Sequence, residues 1–130
     1  MNEEDLMKFR NKCSSYVSLI HSKRNVVNLN VHNSIKHEQM KFRICYHLKS
    51  IGKEYITEAR FRDGNKFSSI ADIICLDDCT IIEIMVTETE EQLEWKSRKF
   101  PPVFEVHAVK YWDDYFQGRS KIIRKGDILG

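Results

Sequence analysis

"TIIEIMVTETEEQLEWK", residues 80–96, decides how this chain folds. From Ile81 to Val86 five side chains are apolar, and Glu83 alone interrupts them. A run this apolar and β-branched reads as a central strand covered on both faces. Thr87 before Glu90, and Thr89 before Gln92, then repeat the capping-box pattern, so a helix starts near residue 88 and ends before Pro101. "VFEVHAVKYW", residues 103–112, reads as the next strand. A strand, a helix and a further strand make a crossover, which implies a parallel pair in a mixed sheet. Glu83 is the odd residue in this frame. A buried carboxylate must protonate, pair with a cation or bind a metal.

Upstream, the period is two. "EYITEARF" (54–61) and "SSIADIICL" (68–76) read as two strands, joined by the turn "RDGNK" (62–66) and followed by the turn "DDC" (77–79). Before them, Asn33 or Ser34 caps a helix that runs to Ile51 and stops at Gly52. Leu6, Phe9, Cys13, Tyr16, Val17 and Ile20 fall at helical spacing, so residues 3–22 read as a further amphipathic helix. "VVNLNVH" (26–32) alternates and reads as a short extended segment. The expected fold is α/β, with the order αβββαβ, a central mixed four-stranded sheet flanked by helices, and an extra N-terminal helix.

A chain of 130 residues suits one domain with a core of its own. No apolar run approaches the roughly 20 residues of a membrane span, and "MNEEDLMKFR" is acidic and unlike a secretory signal, so the chain reads as cytoplasmic, with no membrane partner. The four cysteines lack a CxxC pair or an HxxxH, which argues against zinc and for reduced, partly buried thiols. Charge is uneven: residues 1–62 carry twelve Lys and Arg against six acids, and residues 63–130 carry nine against thirteen. A basic half beside an acidic half fits a protein that attracts a polyanion and keeps carboxylates for cations; an uneven solvated surface fits equally.

Asp72 repeats the oddity of Glu83, since it lies alone among apolar residues in the preceding strand. A hairpin can bring two such acids together, where a divalent cation resolves both burial and repulsion. An ion pair with Arg60, Arg62 or Lys96 is the other solution, and the residues alone leave both open.

Over residues 34–110, this order of elements resembles the PD-(D/E)XK nuclease superfamily, which includes restriction endonucleases and Holliday-junction resolvases. Ala71–Asp72 stands for the PD, and Glu83–Ile84–Met85 stands where the family has (D/E)xK. The resemblance implies a single nuclease-like domain over 1–130, with an N-terminal helical extension (1–33), a core (34–110) and a C-terminal extension (111–130). It also implies Mg²⁺, or Mn²⁺, held by Asp72, Glu83 and the backbone carbonyl of Ile84. The expected activity is hydrolysis of phosphodiester bonds in nucleic acid, DNA first; a non-catalytic nucleic-acid-binding or assembly protein is the alternative, and Met85 is its main support.

Some members of the superfamily carry the lysine on the following helix, and Lys96 falls at the margin of the Leu93–Phe100 stripe, where its ammonium could reach Glu83. Glu38, on the first core helix, matches a glutamate that many of these nucleases place near the metal, and Glu58 could face the same site. His37 reads as a surface or packing histidine. Lys36, Lys41 and Arg43 on the helix, with Arg119, Lys121, Arg124 and Lys125 in the tail, are the expected phosphate contacts. Tyr111, Trp112, Tyr115 and Phe116 would pack the extension or form a subunit contact. A homodimer fits an enzyme that needs two sites on duplex or junction substrates.

Overall fold

A computed structural model describes residues 1–18, 22–62 and 69–127. The elements are α1 (Glu3–Ser14), α2 (Ile35–Ser50), β1 (Tyr55–Ala59), β2 (Ala71–Cys75), β3 (Thr80–Ile84), α3 (Glu90–Ser97), β4 (Glu105–Val109) and β5 (Lys121–Arg124). The five strands form one mixed sheet in the order β1-β2-β3-β4-β5. Only β3 and β4 are parallel, and α3 is the crossover between them.

Two apolar layers sandwich the sheet. Ile56, Ile74, Ile81 and Val106 pack with Cys13, Val17, Phe100 and Phe104 on the side of α1 and the segment after α3. Tyr55, Ile73, Cys75, Ile82 and Ile84 pack with Met40, Ile44, Cys45 and Leu48 of α2. β2 and β3 are buried along their whole length, which explains their continuous apolar run. All four cysteines are buried and free.

Capping sets the helix bounds. The Ser34 side chain accepts the His37 N–H, and Thr89 and Gln92 complete the capping box of α3; the Thr87–Glu90 pattern is not the one used. Gly52, at φ +78°, follows α2 in the left-handed conformation that ends helices.

The fold departs from the sequence reading in three places. The sheet has five strands, not four, because the basic tail pairs with β4 as an antiparallel edge. The N-terminal helix stops at Ser14, well short of residue 22. Ser14 and Ser15 hydroxyls donate back to the Asn11 and Lys12 carbonyls, and residues 16–18 then pair with 60–62 through the Val17–Phe61 bridge. Residues 26–33 form an irregular strap rather than an alternating strand, with Leu29 and Val31 exposed. Asn28 N–H donates to Thr57 and Asn30 N–H to Glu38, so polar side chains hold the strap to β1 and α2. Residues 19–21, at the end of the expected first helix, and residues 63–66 of the expected turn lie outside the described residues. No helix among the described residues is long and apolar enough to cross a membrane.

Candidate functional site

The β2–β3 register pairs Ile73 with Ile82, so one step further Asp72 stands opposite Glu83. Directly opposed residues of an antiparallel pair share a face, and the two carboxylates therefore meet. The ladder gives way to side chains here. Asp72 N–H donates to Glu83 Oε2 at 2.8 Å, and Ile84 N–H donates to Asp72 Oδ2 at 2.9 Å. Both acids are buried at the floor of a cleft of about 400 Å³, also lined by Asn33, His37, Gln92 and Lys96.

Lys96 reaches the cleft from α3, with Nζ 2.5 Å from Glu83 Oε1. This is a charge contact outside hydrogen-bonding angles, so Oε1 accepts no hydrogen bond among the described residues. Burial raises the Glu83 carboxyl to about 8, and neighbouring Asp72 adds to this against the opposing pull of Lys96. Burial acts the same way on Asp72, but His37, Lys96 and the Ile84 amide outweigh it and hold that carboxyl below its ordinary value. Of two acids sharing one ammonium, Glu83 therefore bears the cost of desolvation.

The sequence reading missed His37. Its Nε2 lies 3.2 Å from Asp72 Oδ2 and its Nδ1 lies 2.7 Å from Glu38 Oε2. Burial lowers its basicity, yet the two acids prevail and raise it to about 9, so both ring nitrogens carry protons at neutral pH. The signal was in the spacing: His37 falls on the same helical stripe as Met40, Ile44 and Leu48, all buried.

No protein-family model, curated protein or solved structure matches the chain. What the chain can do rests on its own geometry.

Beyond His37 the polar network continues away from the cleft. Glu38 and Glu58 both pair with Lys41, at 2.7 and 2.5 Å, and Lys41 also donates to the Asn28 carbonyl. Neither acid lines the cleft: Glu38 connects to it through His37 and Asn33, and Glu58 joins Glu38 through Lys41 and Asn30. Glu58 has φ +49°, a left-handed conformation that drops its pairing with Asp72 from the β1–β2 register and turns its side chain toward α2. Lys41 is no phosphate contact. It is fully buried, because the strap and two carboxylates close over it.

Arg124 is also withheld from phosphate. Its guanidinium donates to the carbonyls of Ser97, Phe100, Pro101 and Phe104, the chain that ends α3 and leads to β4. Ser97 closes α3, and the other three carbonyls lie in the link from α3 to β4. Arg119 faces Asp113 and Asp114, Lys121 faces Glu90, and Lys125 is exposed. Lys36 and Arg43 are exposed on α2.

The cleft suits a hard cation in part. Two carboxylates and the Ile84 carbonyl are oxygen donors, and Glu83 Oε1 is a buried oxygen without a hydrogen bond. Among the described residues, no three His, Cys, Asp or Glu side chains form a group able to hold a metal alone. A partial set of this kind fits Mg²⁺, which keeps several of its waters. A larger groove of about 750 Å³, lined by Leu29, Val31, Ile35 and Phe42, is mostly apolar and meets this network at Asn30, Asn33 and Glu38.

Proposed function

We propose that the protein is a metal-dependent phosphodiesterase that hydrolyses nucleic acid, DNA first, with a restriction-endonuclease-like core of the PD-(D/E)XK type. One observation carries the reading: Asp72 and Glu83 face each other across β2 and β3, with the Lys96 ammonium 2.5 Å from Glu83. The order α2–β1–β2–β3–α3–β4, with β3 and β4 parallel, supports it.

Asp72, Glu83 and the Ile84 carbonyl would hold Mg²⁺ or Mn²⁺. A bound ion would acidify the attacking water and offset charge on the phosphate. Lys96 supplies a positive charge at the rim, where it faces the phosphate and stabilises the negative charge that grows in the transition state. Met85, half-buried next to the cleft, cannot do this, so the helix supplies the lysine. His37 donates to Asp72 and Glu38 together and fixes the Asp72 carboxylate; it is a positioning residue. Glu38 and Glu58 act further out, by holding Lys41 and His37 in place.

Met85 and the closed ion pair between Lys96 and Glu83 favour a second reading, a nucleic-acid-binding or assembly protein without catalysis. Calorimetric titration with Mg²⁺, and cleavage of single-stranded, duplex, flap and four-way-junction DNA, separate the two. Saturable binding and cleavage, both abolished in Asp72→Asn, support the hydrolase. Nucleic-acid binding with neither Mg²⁺ uptake nor cleavage overturns it.

A further inference from the structure

We propose that a second pocket, bounded by Lys36, Arg43, Lys110, Tyr111 and Trp112, binds unpaired nucleotides of a single strand. The phosphates lie on the three cations and a base stacks on the exposed rings. This deepens the phosphodiesterase reading and rests on its nucleic-acid substrate.

Among the described residues, no carboxylate lines the pocket. Lys36, Arg43 and Lys110 are exposed, and none has an acidic partner among the described residues, whereas Arg10, Arg24, Lys41, Lys53 and Lys121 each face one. Their charge is thus free for an anion. The aromatic rings beside them remain open to solvent, Tyr111 by 59% and Trp112 by 45%. Arg43 lies over the Trp112 ring at 4.9 Å and Lys110 lies 6.0 Å from the Tyr111 ring, so cation and ring form one surface. Trp112 packs edge-on against Phe116, which packs on the α2-side core, and this backs the platform with core side chains.

Size and place narrow the occupant. The pocket holds about 230 Å³, below the roughly 300–1,000 Å³ of small-ligand sites, and suits one base of a chain that continues into solvent. Bases in a duplex hide their faces in the stack, whereas an unpaired base offers its face to a ring regardless of sequence. Lys110 follows Val109, whose carbonyl accepts the Met85 N–H, and Val109 pairs with Ile84 of the cleft wall. Because β3 and β4 are parallel, cleft and pocket open at the same end of the sheet. A strand seated on the pocket therefore lies at the end of the sheet that carries the acids.

The chain has two tryptophans, so Trp95→Phe leaves Trp112 as the only tryptophan reporter. The variant is titrated in EDTA with oligothymidylate and with a duplex of equal length. The expected result is quenching by the single strand, with affinity about tenfold or more above that for duplex. Adding Tyr111→Ala lowers single-strand affinity about tenfold and leaves duplex affinity unchanged. Tyr111 is exposed, so an unaltered circular-dichroism melt accompanies that drop. Equal affinity for the two forms, or quenching that Tyr111→Ala does not weaken, overturns the proposal. EDTA keeps this test apart from hydrolysis. Quenching without Mg²⁺-dependent cleavage overturns the hydrolase reading and supports the pocket, and cleavage without quenching overturns the pocket alone.

Discussion

Lys96 is held and still accessible: its ammonium meets Glu83 while 36% of its side chain stays in solvent. If that charge acts on the transition state, Lys96→Ala lowers Mg²⁺-dependent turnover about a hundredfold or more with little change in substrate affinity. Lys99→Ala, at an exposed lysine beside Trp95, has little effect in the same steady-state assay. Equal, small reductions from both would remove Lys96 from the chemistry. Glu83 makes a separate prediction for the metal-free protein. Its folded carboxyl is raised from 4.5 to about 8, so between these values the native state binds more protons than the unfolded state. Stability is therefore highest below about pH 4.5 as far as this group is concerned, and falls as pH rises through about 8. His37 acts in the same sense at higher pH, since its raised basicity stabilises fully below 6.5 and ceases to do so through about 9. Urea melts across this range will show the decline, and Glu83→Gln will flatten its lower part.

The elements are joined by two cations, one buried and one half-buried, that the sequence presented as surface charges. Lys41 ties α2 to β1 and to the strap through Glu38, Glu58 and Asn28. Lys41→Met leaves two carboxylates without their cation, and denaturant unfolding will show a destabilisation of about 3–5 kcal/mol. Lys49→Met, at an exposed site on the same helix, serves as control and changes stability little. Arg124 gathers four carbonyls at the end of α3, the helix that carries Lys96. Arg124→Ala will lower the melting temperature and the turnover together, because the C-terminal end of α3 loses its tether to β5, leaving the exposed Lys121–Glu90 ion pair between the two. It will leave the salt dependence of nucleic-acid binding unchanged, the reverse of what removing a phosphate-binding cation does.

Across the whole molecule, the proposed nucleic-acid substrate would be directed by charge rather than by apolar surface. Several basic side chains are neutralised by acids in the fold, whereas Lys36, Arg43 and Lys110 around the second pocket face none among the described residues. Nucleic-acid affinity will fall steeply with added salt. Replacing these three residues with Gln will reduce the slope of log affinity against log salt by roughly 0.7–0.9 for each phosphate that is no longer neutralised. Fluorescence anisotropy at four or five salt concentrations will measure it, and an unchanged slope would place the phosphate-binding cations elsewhere.

How much was legible in the sequence follows from range. Local pattern was enough for the strand with Glu83, a helix starting near residue 88, the crossover and hence the parallel pair, because period, capping and chain reach act between near neighbours; it left Thr87 and Thr89 both open as the cap. Parity and a short hairpin were enough to bring Asp72 and Glu83 together. Only the tertiary structure decided which cations they and their neighbours keep. His37 reaches Asp72 across 35 positions, Lys41 reaches Glu58 across 17, and Arg124 reaches back to Ser97 across 27. A long side chain on a helix margin can turn to solvent or inward at similar local cost, and the choice depends on which acceptors the distant chain brings within reach. The fifth strand was hidden for the same reason. An edge strand gains its stability from backbone bonds to its neighbour, and "KIIR" carries too short a pattern to announce that neighbour in advance.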